Sequence, residues 1–132
     1  MLTSKLINHI ENEQVVLIKR WRDGRTYHVF PGGGIEEGET PEEAAKREAL
    51  EELGVKVKLI ECLSRVEYNG TQFYFTAEIT SGQIGTGSGE EYTDIRRNRG
   101  TYKPVWVKIK ELNYLNIIPL EIVKDIQKEI KI

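Results

Sequence analysis

The chain alternates short apolar runs with turn-forming residues, and one stretch interrupts that rhythm with helical spacing. Val15-Val16-Leu17-Ile18 is a continuous apolar run, which predicts a strand buried on both faces. A short strand over 4–10 precedes it, and Asp23-Gly24 after it is a two-residue hairpin signal. Residues 27–30 return as a strand. Residues 55–67 and 71–79 form a second pair around Asn69-Gly70, the latter carrying Phe73, Tyr74 and Phe75. Val105-Trp106-Val107 predicts one more strand. Pro119 opens a closing helix in which Ile122, Ile126 and Ile130 repeat at helical spacing, a stripe that packs into a core.

The helical interruption follows Thr40. Thr40-Pro41-Glu42-Glu43 is a capping box with proline at the first helical position. Ala44, Ala45, Ala49 and Leu50 favour helix, and Gly54 stands where a helix stops. Strands on both sides of one helix, with a second helix at the end, predict an α/β sandwich. At 132 residues the chain is read as a single domain, 1–132, with ordinary proportions of charged (30%) and hydrophobic (39%) residues. It has no run of membrane-spanning length and no signal-like start, so a cytoplasmic protein without membrane partners is expected. The single cysteine, Cys62, excludes an internal disulfide and is read as packed on a strand.

Charge changes the picture. From 36 to 52 there are eight Glu against Lys46 and Arg47, a segment charge of −6; the whole chain is −2, so the remainder carries +4. On a helix Glu48 and Glu52 lie at i and i+4, with Glu51 beside them, and each like-charged pair costs about 0.2–0.5 kcal/mol. Three carboxylates crowding one turn in a mildly basic domain suit a hard divalent cation, Mg²⁺ above all.

The spacing is more specific still. Gly33, then Glu39, then Arg47-Glu48-Ala49-Leu50-Glu51-Glu52-Leu53-Gly54-Val55, entered through Phe30-Pro31-Gly32-Gly33-Gly34, resembles the Nudix box of the MutT-like hydrolases over 33–55. Ala49 departs from it, since the pattern prefers a larger aliphatic residue there. The resemblance implies a Nudix-type α/β/α sandwich with a mixed sheet. It implies hydrolysis of a pyrophosphate linkage in a nucleoside diphosphate joined to a group X. Glu51 and Glu52 match the paired metal ligands, with Glu48 as ligand or general base and the Gly32 carbonyl completing the set; Mn²⁺ substitutes for Mg²⁺. Arg47 and Glu39 match a supporting ion pair. Gly33, Gly34 and Gly38 are read as conformational, because glycine alone takes positive φ easily.

Outside the box, Arg20, Trp21 and Tyr27, together with Glu91 and Arg96, are candidate substrate contacts. The glycine-rich stretch 82–103 is expected to close over the nucleotide, and His28 to pack or meet a base edge rather than catalyse. The signatures of coenzyme A and sugar-nucleotide enzymes are absent, and Tyr68 lies early for a dinucleoside polyphosphate hydrolase. A compact nucleoside triphosphate pyrophosphohydrolase leads, with dinucleoside polyphosphate or nucleotide-sugar hydrolysis, or a non-catalytic nucleotide sensor, as alternatives. The partner is a small-molecule nucleotide. No basic run exceeds Arg96-Arg97, so stable binding to long nucleic acid is not expected, and the chain is read as a monomer or homodimer.

Overall fold

The computed structural model describes residues 2–10, 13–84, 92–93 and 101–129. Its strands are β1 (Leu2–Ile10), β2 (Gln14–Arg22), β3 (Arg25–Val29), β4 (Gly32–Gly34), β5 (Lys56–Glu67), β6 (Thr71–Ser81), β7 (Tyr92–Thr93) and β8 (Thr101–Lys108). The helices are α1 (Pro41–Glu48), continued by a π turn at Ala49–Leu53, and α2 (Glu121–Glu129). A 3-10 turn, Ile109–Tyr114, was not anticipated from the pattern.

The strands join in the order β5-β6-β1-β2-β8-β7, with β3 added to β2 and β4 to β1. β1 runs parallel to β6 while the other pairings are antiparallel, so the sheet is mixed. Both expected hairpins form. Asp23 and Gly24 take φ of 52° and 74°, the left-handed values of a two-residue hairpin loop between paired Arg22 and Arg25, whereas Asn69 and Gly70, at 52° and 105°, complete a three-residue loop with Tyr68 between paired Glu67 and Thr71.

The apolar run in β2 does what a doubly buried strand must. Val15 and Leu17 enter one core with Ile109, Leu112, Ile122, Val123 and Ile126, which is the α2 side. Val16 and Ile18 enter the other with Ala45, Ala49 and Leu53, which is the α1 side. Leu6 and Ile7 of β1 divide in the same way, as do Phe75 and Tyr74 of β6. Alternate side chains of one strand therefore glue a helix to each face, which makes the α/β/α sandwich. The stripe on α2 packs inward at Ile122 and Ile126; Ile130 lies outside the described residues.

Three expectations change. The glycine run 32–34 is not a free turn but a short strand paired with β1 at Lys5, Ser4 and Thr3. Cys62 does lie on β5, but its side chain is exposed rather than packed. Residues 101–103, expected in the loop, are the start of β8, and most of the remaining loop, including Glu91 and Arg96, lies outside the described residues. No described helix is long and apolar enough to cross a membrane.

Candidate active site

The site grows from the junction of β4 and α1. The capping box forms as expected: Glu43 N–H donates to Thr40 Oγ1 at 3.0 Å, and Thr40 N–H donates to Glu43 Oε1 at 2.8 Å. The buried face of α1 is alanine at 44, 45 and 49, so the helix axis can approach the sheet closely. Small Ala49, the one departure from the Nudix pattern, is wholly buried in that contact.

The helix does not run on as α to Gly54. It widens into the π turn, where Val55 N–H reaches back to Ala49 O at 3.4 Å, while Gly54 N–H donates to Leu50 O at 3.0 Å and Gly54 closes the turn at φ 72°. A π turn adds a residue to the hydrogen-bonded ring, which re-aims the side chains beyond it. As a result the three glutamates do not crowd one point. Glu48 Oε1 and Glu51 Oε2 both accept from Arg47 Nη1, at 3.0 and 3.1 Å. Glu52 turns instead to β4, where its Oε1 accepts from Gly32 N–H at 3.0 Å. The expected like-charge strain between Glu48 and Glu51 is offset by the guanidinium between them.

Arg47 is the hub of the loop. Its Nε and Nη2 clasp Glu39 at 2.8 and 3.0 Å, and Nη2 also donates to Gly34 O at 2.9 Å. The charge-assisted bonds from Arg47, joined by Glu36 N–H, hold the Glu39 carboxyl down to about 2. Glu39 in return raises the Arg47 pKa further above its ordinary value.

The glycines separate by cause. Gly32 has φ +146°, and a Cβ there would strike the Ser4 carbonyl oxygen. Gly33 lacks a positive φ; a Cβ there would lie 2.5 Å from Glu48 Oε1, so it is small in order to admit that carboxyl. Gly34 has open space and no positive φ, whereas Gly38 takes φ +82°. The conformational reading therefore holds for Gly38 and fails for Gly33 and Gly34.

Glu52 is the electrostatic centre. Burial lifts its pKa above the usual carboxylate value, and the Glu48 charge adds to the rise, while Lys5, the Gly32 N–H and Arg20 act against it. Two of these partners were not anticipated from sequence as belonging beside Glu52. Lys5, whose Nζ donates to Phe30 O at 3.2 Å, arrives through the β1–β4 pairing, which no local pattern announces. Arg20 was proposed only as a substrate contact.

Strand alternation explains where Arg20 goes. On the α1 side β2 reads Val16, Ile18, Arg20: apolar beneath the helix, then cationic. Directly opposite Arg20 stand Tyr102 on β8 and Tyr27 on β3. The Arg20 guanidinium lies over the Tyr102 ring at 5.1 Å, and its Nη1 is buried without a hydrogen-bond partner among the described residues. Trp21, one residue on, faces the other way and is covered by Lys19 at 5.0 Å. The structure thus separates Trp21 from the face that carries Arg20 and Tyr27. His28 is buried, with its pKa lowered by burial and by Lys19, and its backbone is tied to Asn116 and Ile118.

A hard cation suits this donor set in kind. Glu52 and Glu48 offer the carboxylate oxygens that such a cation takes. They do not yet converge: among the described residues no three His, Cys, Asp or Glu side chains are grouped closely enough to hold a metal ion.

The chain is 38% identical over 60 residues to the 8-oxo-dGTP diphosphatase of Escherichia coli, a match spanning 44% of this chain and 46% of that protein. It is 37% identical over 100 residues to the RNA pyrophosphohydrolase of a Sulfurovum species, covering 76% and 55% of the two chains. The chain spans half or less of the length of the first curated relatives it matches. In three dimensions it resembles a NUDIX hydrolase from Nitrosomonas europaea, with a TM-score of 0.74 at 19% identity over 97% of this chain and 86% of the other. The model of the NUDIX domain itself matches residues 6–125. Box spacing, sandwich topology and the Arg47-centred loop thus converge on one conclusion: this chain belongs to the NUDIX domain family.

Proposed function

We propose that this protein hydrolyses the pyrophosphate bond of a nucleoside diphosphate linked to a group X, with nucleoside triphosphates as the leading substrates. The observation that carries the reading is Glu52. Its part-buried carboxyl is held by the Gly32 N–H, with Glu48 and Arg20 as charged neighbours. Such an arrangement costs stability and has no evident purpose in packing, whereas it suits a site that receives cationic charge and phosphate together.

The chain's own groups divide the work. Arg20, stacked on Tyr102, pairs through its guanidinium with a phosphate oxygen. Arg47 holds Glu48 in place at 3.0 Å, and Glu48 takes the proton of the attacking water. Tyr27, on the face of Arg20, stacks on the base. Mg²⁺ or Mn²⁺, held by Glu48, Glu51, Glu52 and the Gly32 carbonyl, supplies charge neutralisation at the phosphates when bound. The relatives' names, a diphosphatase and a pyrophosphohydrolase, support the same bond class. The RNA pyrophosphohydrolase match, which covers 76% of this chain, favours a second reading in which the nucleoside is the first residue of a 5′-triphosphorylated RNA and X is its terminal phosphate.

A panel of nucleoside triphosphates, dinucleoside polyphosphates, nucleotide sugars and a 5′-triphosphorylated oligonucleotide tests this. Each is incubated with Mg²⁺ or Mn²⁺, and phosphate is read with and without a coupled pyrophosphatase. Cleavage of a triphosphate to monophosphate and pyrophosphate is expected. No cleavage of any phosphoanhydride with either cation would refute the reading.

A further inference from the structure

Arg20 poses a physical problem. Its Nη1 is buried with no hydrogen-bond partner among the described residues, and such burial costs hydration without a compensating bond. An arginine side chain also has many rotamers, so something must hold it in this one. On its own strand the next residue inward on that face is Ile18, which is fully buried and offers no polar atom. The cross-strand neighbour does offer a surface. Tyr102 stands directly opposite Arg20 in the β2–β8 register, and its ring lies 5.1 Å from the guanidinium carbon. Cross-strand partners in an antiparallel pair project to the same face, so the stacking follows from the register itself. Tyr102 packs in turn against the α1-side core, which fixes the ring.

From this we infer that Tyr102 is a positioning residue for the phosphate-binding arginine: its ring fixes the plane of the Arg20 guanidinium and so the direction in which it meets substrate. The inference rests on the phosphohydrolase reading above. A stacked aromatic face constrains the plane of the guanidinium while leaving its in-plane donors available, which a carboxylate partner would not do. A carboxylate would also neutralise the charge meant for phosphate. An aromatic ring orients without competing.

The test is a double-mutant cycle with an aromatic rescue. kcat and KM are measured for the nucleoside triphosphate cleaved fastest in the panel, with inorganic pyrophosphate as a competing inhibitor, for wild type, Arg20→Ala, Tyr102→Phe, Tyr102→Leu and Arg20→Ala/Tyr102→Leu. Tyr102→Leu is expected to raise KM and the inhibition constant about three- to tenfold, with kcat within about twofold. Tyr102→Phe keeps the ring and should stay clearly closer to wild type than Tyr102→Leu in both constants. In the Arg20→Ala background, Tyr102→Leu should add nothing, because the group it positions is gone. Tyr102→Met repeats the aliphatic arm if the leucine variant loses the fold by circular dichroism. A Tyr102→Leu effect that persists without Arg20, or a Phe variant as impaired as Leu, would overturn the positioning role while leaving the hydrolase reading intact. A wild-type protein that neither cleaves nor binds any nucleotide of the panel would overturn both.

Discussion

Arg47 and Glu39, eight positions apart, meet side-on, with Nε to Oε2 at 2.8 Å and Nη2 to Oε1 at 3.0 Å. The same arginine reaches Glu48 and Glu51, so a loop, a helix and two candidate functional carboxylates hang on one guanidinium. Lysine cannot reproduce a side-on pair. Arg47→Lys should therefore lower turnover through misplaced Glu48 as well as lower the melting temperature, and comparing kcat with thermal unfolding checks this. Loss of stability with turnover unchanged would confine Arg47 to the scaffold.

Glu39 adds a pH signature. Its carboxyl is held to about 2 in the folded protein, chiefly by Arg47, from an ordinary value of 4.5. A carboxylate depressed on folding stabilises above its unfolded pKa, and that contribution is lost as pH falls through the folded value. Wild type should lose this share of stability between about pH 4.5 and 2, and Glu39→Gln should show a shallower acid limb there. Identical acid limbs by chemical denaturation would contradict the assignment.

Three consecutive glycines should fail in three ways. Gly32→Ala collides with the Ser4 backbone at a left-handed φ and should destabilise the fold severely. Gly33→Ala meets first the carboxyl of Glu48, the far end of a side chain that can swing aside, so the fold should survive while activity falls. Gly34→Ala meets nothing within 4 Å and should be near neutral in both respects. Melting temperatures and initial rates for the three variants decide; equal effects at 33 and 34 would remove the Glu48 explanation.

Glu52 should trade stability against activity. Because burial raises its pKa, the folded state holds the proton more tightly than the unfolded state. Metal-free stability then falls as pH rises from the ordinary value through the raised one, and the penalty stands in full above it. Glu52→Gln removes the charge, so the metal-free protein should melt higher at neutral pH while turnover drops by several orders of magnitude. In wild type, saturating Mg²⁺ should raise stability by about 2.7 kcal/mol at a hundredfold excess over Kd, and the variant should lose most of that gain. A variant less stable than wild type without metal would argue against buried charge as the cause.

The neighbouring glutamates should rank by position. Glu48→Gln should cost about 10²–10⁴ in kcat, as for loss of a general base. Glu42→Gln, exposed on the first turn of α1, should cost little. Equal losses would indicate an effect on folding, which circular dichroism would reveal.

Some of this was determined by the sequence alone. Thr40 and Glu43 form the expected cap, Asp23-Gly24 and Asn69-Gly70 the expected hairpins, and the Val15-to-Ile18 run a strand buried on both faces. These features depend on residues within a few positions of one another, so their physics is readable in order along the chain. The box spacing likewise implied the Arg47–Glu39 pair, because the loop and helix that carry them are contiguous. Only the tertiary structure decided which carboxylate goes where. The π turn aims Glu52 at Gly32 and leaves Glu48 and Glu51 on Arg47, and Gly33 is small because a helix side chain fifteen positions away lies on it. Lys5 and Tyr102 reach the site through strand pairings with Gly32 and Arg20, partners 27 and 82 positions distant. Register between distant strands is set by the joint packing of two cores, and no local pattern encodes it.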